Sequence, residues 1–95
     1  MKANKNVMNK KDGEYATKDF GLSVYLATVE PDFIKFKKIE QINDREVNFV
    51  FNNPDKCTDF AAKYFSDSGF VNARSYAGKM RDFKALLYSV IPRAR

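Results

Sequence analysis

The chain has no histidine and no tryptophan, a single cysteine (Cys57), and only four glycines and three prolines among 95 residues. Each shortage removes a possibility. Without histidine, the commonest general base and the commonest metal ligand are missing. One thiol can form no intrachain disulfide, and a Cys–His zinc site fails on count alone. The glycines are scattered, so no glycine-rich loop is available to cradle a phosphate. No apolar run approaches the ~20 residues needed to span a bilayer. Residues 1–14 are polar and lysine-rich and lack the apolar stretch of a signal peptide. These absences point to a non-enzymatic protein with no cofactor, no metal and no membrane partner. One thiol without a disulfide suits a reducing cytoplasm.

What is present is aromatic and basic. Nine Phe and five Tyr supply the large core volumes, and the apolar share of 44% fits a folded chain. Ninety-five residues suffice for one small domain. The formal net charge is +5, and it is polarised. Ala73 to Arg95 holds six basic residues and one acid, whereas Tyr15 to Asn72 holds seven basic and nine acidic. A one-sided positive charge is a physical argument for an anionic partner.

Residues 1–14 read as a disordered basic tail, 15–91 as one α+β domain, and 92–95 as a short basic C-terminal tail. Thr17 is a good N-cap for a helix over Lys18–Val29, which Pro31 ends. Phe33–Glu40 and Glu46–Asn52 alternate as strands. Asn43-Asp44 between them suits a two-residue turn, which would set Phe36 opposite Phe51 and Lys38 opposite Phe49. Asn53-Pro54-Asp55 opens a second helix, with Cys57, Phe60, Ala61, Tyr64 and Phe65 at helical spacing, Ser66 to Gly69 as its stop and Gly69 as a C-terminal cap or turn residue. Asn72 caps a third helix, Ala73 to Val90, whose stripe is Ala73, Tyr76, Ala77, Met80, Phe83, Leu87 and Val90. The expected architecture is helix, β-hairpin, helix, helix. A hairpin alone is marginal in water, so its apolar face must lie on helices or on a second copy.

Four strings suggest kinship: Thr17-Lys18-Asp19-Phe20, Asn48-Phe49-Val50-Phe51, Lys63-Tyr64-Phe65, and Val71-Asn72-Ala73-Arg74-Ser75-Tyr76 continued by Leu86-Leu87-Tyr88-Ser89. Over about Tyr15 to Ser89 the chain resembles a small family catalogued as domain of unknown function 5659. Val29-Glu30-Pro31-Asp32 departs from it, because the family closes its first helix with a Lys-Gly step. The resemblance implies a small stand-alone protein, often of mobile genomic regions. It implies no activity, cofactor or catalytic residue.

Candidate site residues are cations. Arg74, Gly78, Arg81, Ala85 and Tyr88 share one side of the third helix, outside the core stripe. Lys84 borders that side, Lys79 lies close by, and Arg93 and Arg95 extend it. Arginine forks could grip phosphate oxygens there while Tyr88 stacks. The plain alternative is a solvated helix face with Lys79 and Lys84 near Asp82. Gly78, costly in a helix interior, suggests a close neighbour, first of all another part of the chain. Lys35, Lys37 and Lys38 could form a second basic patch, or could only guard a strand edge. Cys57 reads as a small buried side chain. The acids Glu30, Asp32, Asp44, Glu46, Asp55, Asp59 and Asp67 sit where caps and turns want them. The leading expectation is a small nucleic-acid-binding accessory protein that contacts DNA or RNA phosphates through its basic C-terminal helix. The alternative is a protein-interaction or homodimerisation module, with the hairpin and the Gly78 region as its interface.

Overall fold

A computed structural model of the chain describes residues 13–91. In order along the chain they form β1 (Glu14–Thr17), α1 (Phe20–Val29), β2 (Phe36–Gln41), β3 (Val47–Asn52), α2 (Pro54–Phe65) and α3 (Ala73–Val90). The fold is α+β, with the expected order of helix, hairpin, helix and helix. The disordered tail expected over residues 1–14 lies outside the described residues as far as residue 12, as does the short tail at 92–95. Glu14 is no part of a tail, because it opens β1.

β1 is an element that the sequence reading lacked. It pairs antiparallel with β3, Tyr15 opposite Phe51 and Thr17 opposite Phe49, so the sheet order is β1-β3-β2. The hairpin is therefore two-thirds of a sheet. The strand also moves the start of α1. Helix begins at Phe20, not Lys18, and the cap is Asp19, whose Oδ1 accepts from the Leu22 N–H at 2.9 Å. Thr17 is spent on β1, and its Oγ1 accepts from the Asp19 N–H.

The hairpin register differs from expectation in an instructive way. The connection is a residue longer than a two-residue turn, with the Ile42 N–H donating to the Glu46 carbonyl at 2.8 Å. The Asn43 side chain builds the turn by accepting from the N–H groups of Arg45 and Glu46. Ile39 therefore faces Phe49, and Lys38 faces Val50 rather than Phe49. A bulge between Phe36 and Lys38 restores the offset, so Phe36 does face Phe51. A one-residue slip turns each side chain to the other face of the sheet. Here the slip puts apolar Ile39 on the core side and charged Lys38 outside. The start of the first strand is also later than expected, because the Phe33 and Ile34 N–H groups donate to the Glu30 carbonyl and close the end of α1.

β3 is the middle strand and is buried on both faces, Phe49 and Phe51 on one and Val50 on the other. Lys37 on β2 reaches Glu14 on β1 at 3.1 Å. With strands about 4.8 Å apart, that ion pair spans β3. On the core face, Phe83 of α3 stacks on Phe49 (ring centroids 5.6 Å apart) and meets Phe36 at 5.0 Å. The hairpin's apolar face is thus covered by helix from its own chain.

α1 is central. Five consecutive residues, Leu22–Leu26, are buried, which an exposed amphipathic helix never shows. The buried Ser23 hydroxyl is satisfied by donating to the Phe20 carbonyl at 2.6 Å. α2 and α3 flank it. Gly21 makes room for the Tyr64 hydroxyl, which a methyl group there would strike. α2 stops within the expected Ser66–Gly69 stretch, with Ser66 as its cap, but Asp67 and not Gly69 takes the positive φ, 65°. Gly69 instead leaves space for the ring of Tyr25, whose hydroxyl would lie 2.7 Å from an added Cβ.

Candidate functional site

Asn72 caps α3 as expected, its Oδ1 accepting from the Ser75 N–H at 2.9 Å. The core side of the helix is narrower than the sequence stripe. Phe83 is buried, with Tyr76, Met80, Leu87 and Val90 packed partly beside it, whereas Ala73 and Ala77 are exposed. That leaves most of the circumference of an 18-residue helix to solvent.

The cations divide over that surface. Arg74 and Arg81 are two turns apart and face away from the core, with Tyr88 two turns further on. At about 100° per residue, Arg81 lies nearly opposite Phe83. Lys79 does not belong to this strip. It stands four residues before Phe83 and so shares that residue's side of the helix. Lys84 occupies the other flank.

Arg74, Lys79, Arg81 and Lys84 are exposed, and among the described residues none has a carboxylate within ion-pair distance. No ion pair joins Lys79 or Lys84 to Asp82. Elsewhere most cations are engaged, the exceptions among the described residues being Lys35 and the exposed Arg45 of the hairpin turn. Lys18 pairs with Glu46, Lys37 with Glu14 and Lys38 with Glu40, while Lys56 and Lys63 lie over the rings of Phe33 and Phe60. Of the two strand lysines read as site residues, Lys37 is thus engaged by an acid and Lys35 is not.

Lys35 joins Lys79 in space. Both line a cleft of about 340 Å³ between α3 and the start of β2, with Phe36, Phe83 and Ile34 beneath them. Lys35 is held by its own backbone, its N–H donating to Asn52 Oδ1 at 2.7 Å and its carbonyl accepting from the Asn52 N–H at 3.1 Å. Nothing local in the sequence brings positions 35 and 79 together. The signal that was there, Lys35 beside Phe36 and Lys79 one turn before Phe83, needs the Phe36–Phe83 contact to become a site. A second cleft of about 180 Å³ lies near the other end of α3, lined by Lys18, Arg45, Glu46 and Leu87 among others. Its Lys18 is already paired with Glu46 at 3.6 Å.

Gly78 has nothing within 4 Å of the position a Cβ would take. The expected close neighbour within the chain is absent, and the glycine lies open on the strip between Arg74 and Arg81. Arg93 and Arg95 lie outside the described residues.

The rest of the surface supplies little chemistry. Cys57 is fully buried, with its Sγ 3.3 Å from the Asn52 carbonyl. Burial pushes its pKa up to about 12, so the thiol stays protonated and poorly nucleophilic. Burial also raises Tyr15, Tyr25 and Tyr64 above the ordinary phenol value. Among the described residues no group of three His, Cys, Asp or Glu side chains could hold a metal ion, and no helix is long and apolar enough to cross a membrane. Compared with known proteins, the chain matches no family model, no curated protein and no solved structure.

Proposed function

We propose that this chain is a small non-enzymatic module that binds nucleic acid through phosphate contacts, with α3 as the principal contact element. One observation carries the reading: among the described residues every cation of α3, together with Lys35 and Arg45, lacks an acid or aromatic partner, while Lys18, Lys37 and Lys38 are paired with acids and Lys56 and Lys63 lie over rings. Unpaired exposed cations add nothing to folding and repel one another. Against a polyanion they release its condensed counterions, which is a favourable, salt-sensitive and sequence-independent gain. Arg74 and Arg81 stand about 10 Å apart along the helix, with only small side chains at Gly78 and Ala85 between and beyond them. Their forks are suited to phosphate oxygens. The likeness to domain of unknown function 5659, with its association with mobile genomic regions, belongs to the same proposal and rests on the short strings that carry it.

The test is fluorescence anisotropy with unrelated DNA and RNA probes at several salt concentrations. Arg74→Ala with Arg81→Ala is expected to weaken binding to every probe and to lower the salt slope by about two, one for each lost phosphate contact. The melting temperature should not change. A double variant with wild-type affinity and slope removes α3 from the interface, and a wild-type protein that binds no probe at low salt removes the function.

A second reading, a protein or self-association module, has one observation behind it. Phe65 and Phe70, at the end of α2 and in the following loop, are 63% and 82% exposed. They replace the hairpin and Gly78 as its contact residues. Dimerisation on a sizing column that Phe70→Ser abolishes would favour it.

A further inference from the structure

The cleft shared by Lys35 and Lys79 has a chemistry that the outward strip lacks. Arg74 and Arg81 face solvent over a convex helix, where only a backbone can be gripped. Lys35 and Lys79 instead flank a concavity with aromatic lining, and among the described residues neither has an acid within ion-pair distance. Phe36 is only half-buried and lines the cleft, while Phe83 packs between it and Phe49. The cleft's ~340 Å³ is at the small end of ligand pockets, which run from about 300 to 1,000 Å³. It suits one planar group rather than a folded segment. An apolar aromatic surface between two cations matches a base with its flanking phosphates: a π-face for the ring and an ammonium for each neighbouring anion.

We infer that this cleft takes one unstacked nucleotide, so that the protein prefers single-stranded nucleic acid to duplex. The inference rests on the nucleic-acid reading above and names its substrate class. A base inside a duplex is stacked on both faces and cannot enter without being extruded, which costs free energy that a single strand does not spend. The strip of Arg74 and Arg81 would bind either form, and the cleft would tell them apart. The other cleft beside α3 fits no such ligand, because Glu46 sits next to Lys18 and would repel a phosphate.

The experiment compares three probes of matched length by anisotropy: an oligothymidine strand, an abasic strand with the same phosphates, and a duplex. Wild-type protein is expected to bind oligothymidine at least about fivefold more tightly than the abasic strand, the lower bound for one stacked base, and more tightly than the duplex. Lys35→Ala and Lys79→Ala should each shrink both preferences. Arg74→Ala with Arg81→Ala should weaken all three probes and leave the preferences in place. Thermal melting of each variant checks the fold, which exposed lysines do not support. Equal binding of the three probes, or preferences untouched by Lys35→Ala and Lys79→Ala, overturns the cleft and leaves phosphate binding standing. Absence of binding to all three overturns both.

Discussion

On β2, Lys37 reaches a carboxylate at 3.1 Å and Lys38 another at 3.6 Å. On α3, Arg74, Lys79, Arg81 and Lys84 reach none among the described residues. The sheet cations work inside the fold. Lys37 crosses β3 to meet Glu14, whose side chain is only 10% exposed, over a strand whose Val50 is fully buried. The α3 cations have no such work, and Asp82 does not bind them. Residues of one chemical type thus serve the fold in one region and are left to solvent in the other. Under the proposed function the difference separates stability from recognition, so substitutions in the two regions should have opposite signatures.

The largest effect is expected where the two regions are joined. Phe83 holds α3 onto the sheet through Phe49 and Phe36. Phe83→Ala should cost about 3–5 kcal/mol, a large share of the 5–15 kcal/mol that a domain of this kind possesses. Circular dichroism melting should show the loss, and nucleic-acid affinity should fall with it because the cations are no longer placed on one rigid helix. Retained affinity in the unfolded variant would mean that charge alone, not its arrangement on α3, does the binding. Phe60, by contrast, is only partly buried, so its truncation should cost less than its place in the helical row suggested.

The next effect sharpens the contrast from the sheet side. Lys37→Ala removes the pair that spans β3. Because Lys37 is 44% exposed, solvent screens the interaction, and the loss should be on the order of 1 kcal/mol. Denaturant unfolding measures it. Affinity for any probe should be unchanged, although Lys37 sits two residues from Lys35 in the sequence. If Lys37→Ala lowers affinity as much as Lys35→Ala does, the division between engaged and free cations fails.

That division was not legible in the sequence, and the reason is physical. Helix periodicity is local, so the range of α3, its Asn72 cap and the outward position of Arg74 and Arg81 could be read directly. So could the start of α2 at Pro54 and the buried place of Cys57. Ion pairing is not local. Lys37 and Lys35 look alike until β1 exists, and β1 is only four residues long, too short for a periodic signal and hidden beside a lysine-rich stretch. The bulge at Lys37 is likewise set by tertiary packing, since it trades one ladder position for the packing of a half-buried Ile39 against the core. The Lys35–Lys79 cleft depends on both facts at once, which is why its two lysines could be named as cations but not as partners.

The smallest effect tests the strip itself. Gly78 faces the same side as Arg74 and Arg81, and a Cβ there would meet open space. Nothing inside the molecule requires the glycine, and its φ is not positive. Gly78→Ala should therefore stabilise the helix by up to about 1 kcal/mol, raising the melting temperature by roughly 4–8 °C for a domain of this size. A glycine that costs stability without serving the fold is accounted for if a partner lies close to the helix backbone at that point. A phosphodiester chain running between Arg74 and Arg81 would be such a partner, and an added methyl group would push it outward. Stability and affinity should then move in opposite directions in this one variant. If the melting temperature rises and affinity stays at the wild-type value, the strand does not touch the helix between the two arginines, and they act as independent contacts rather than as the two ends of a groove.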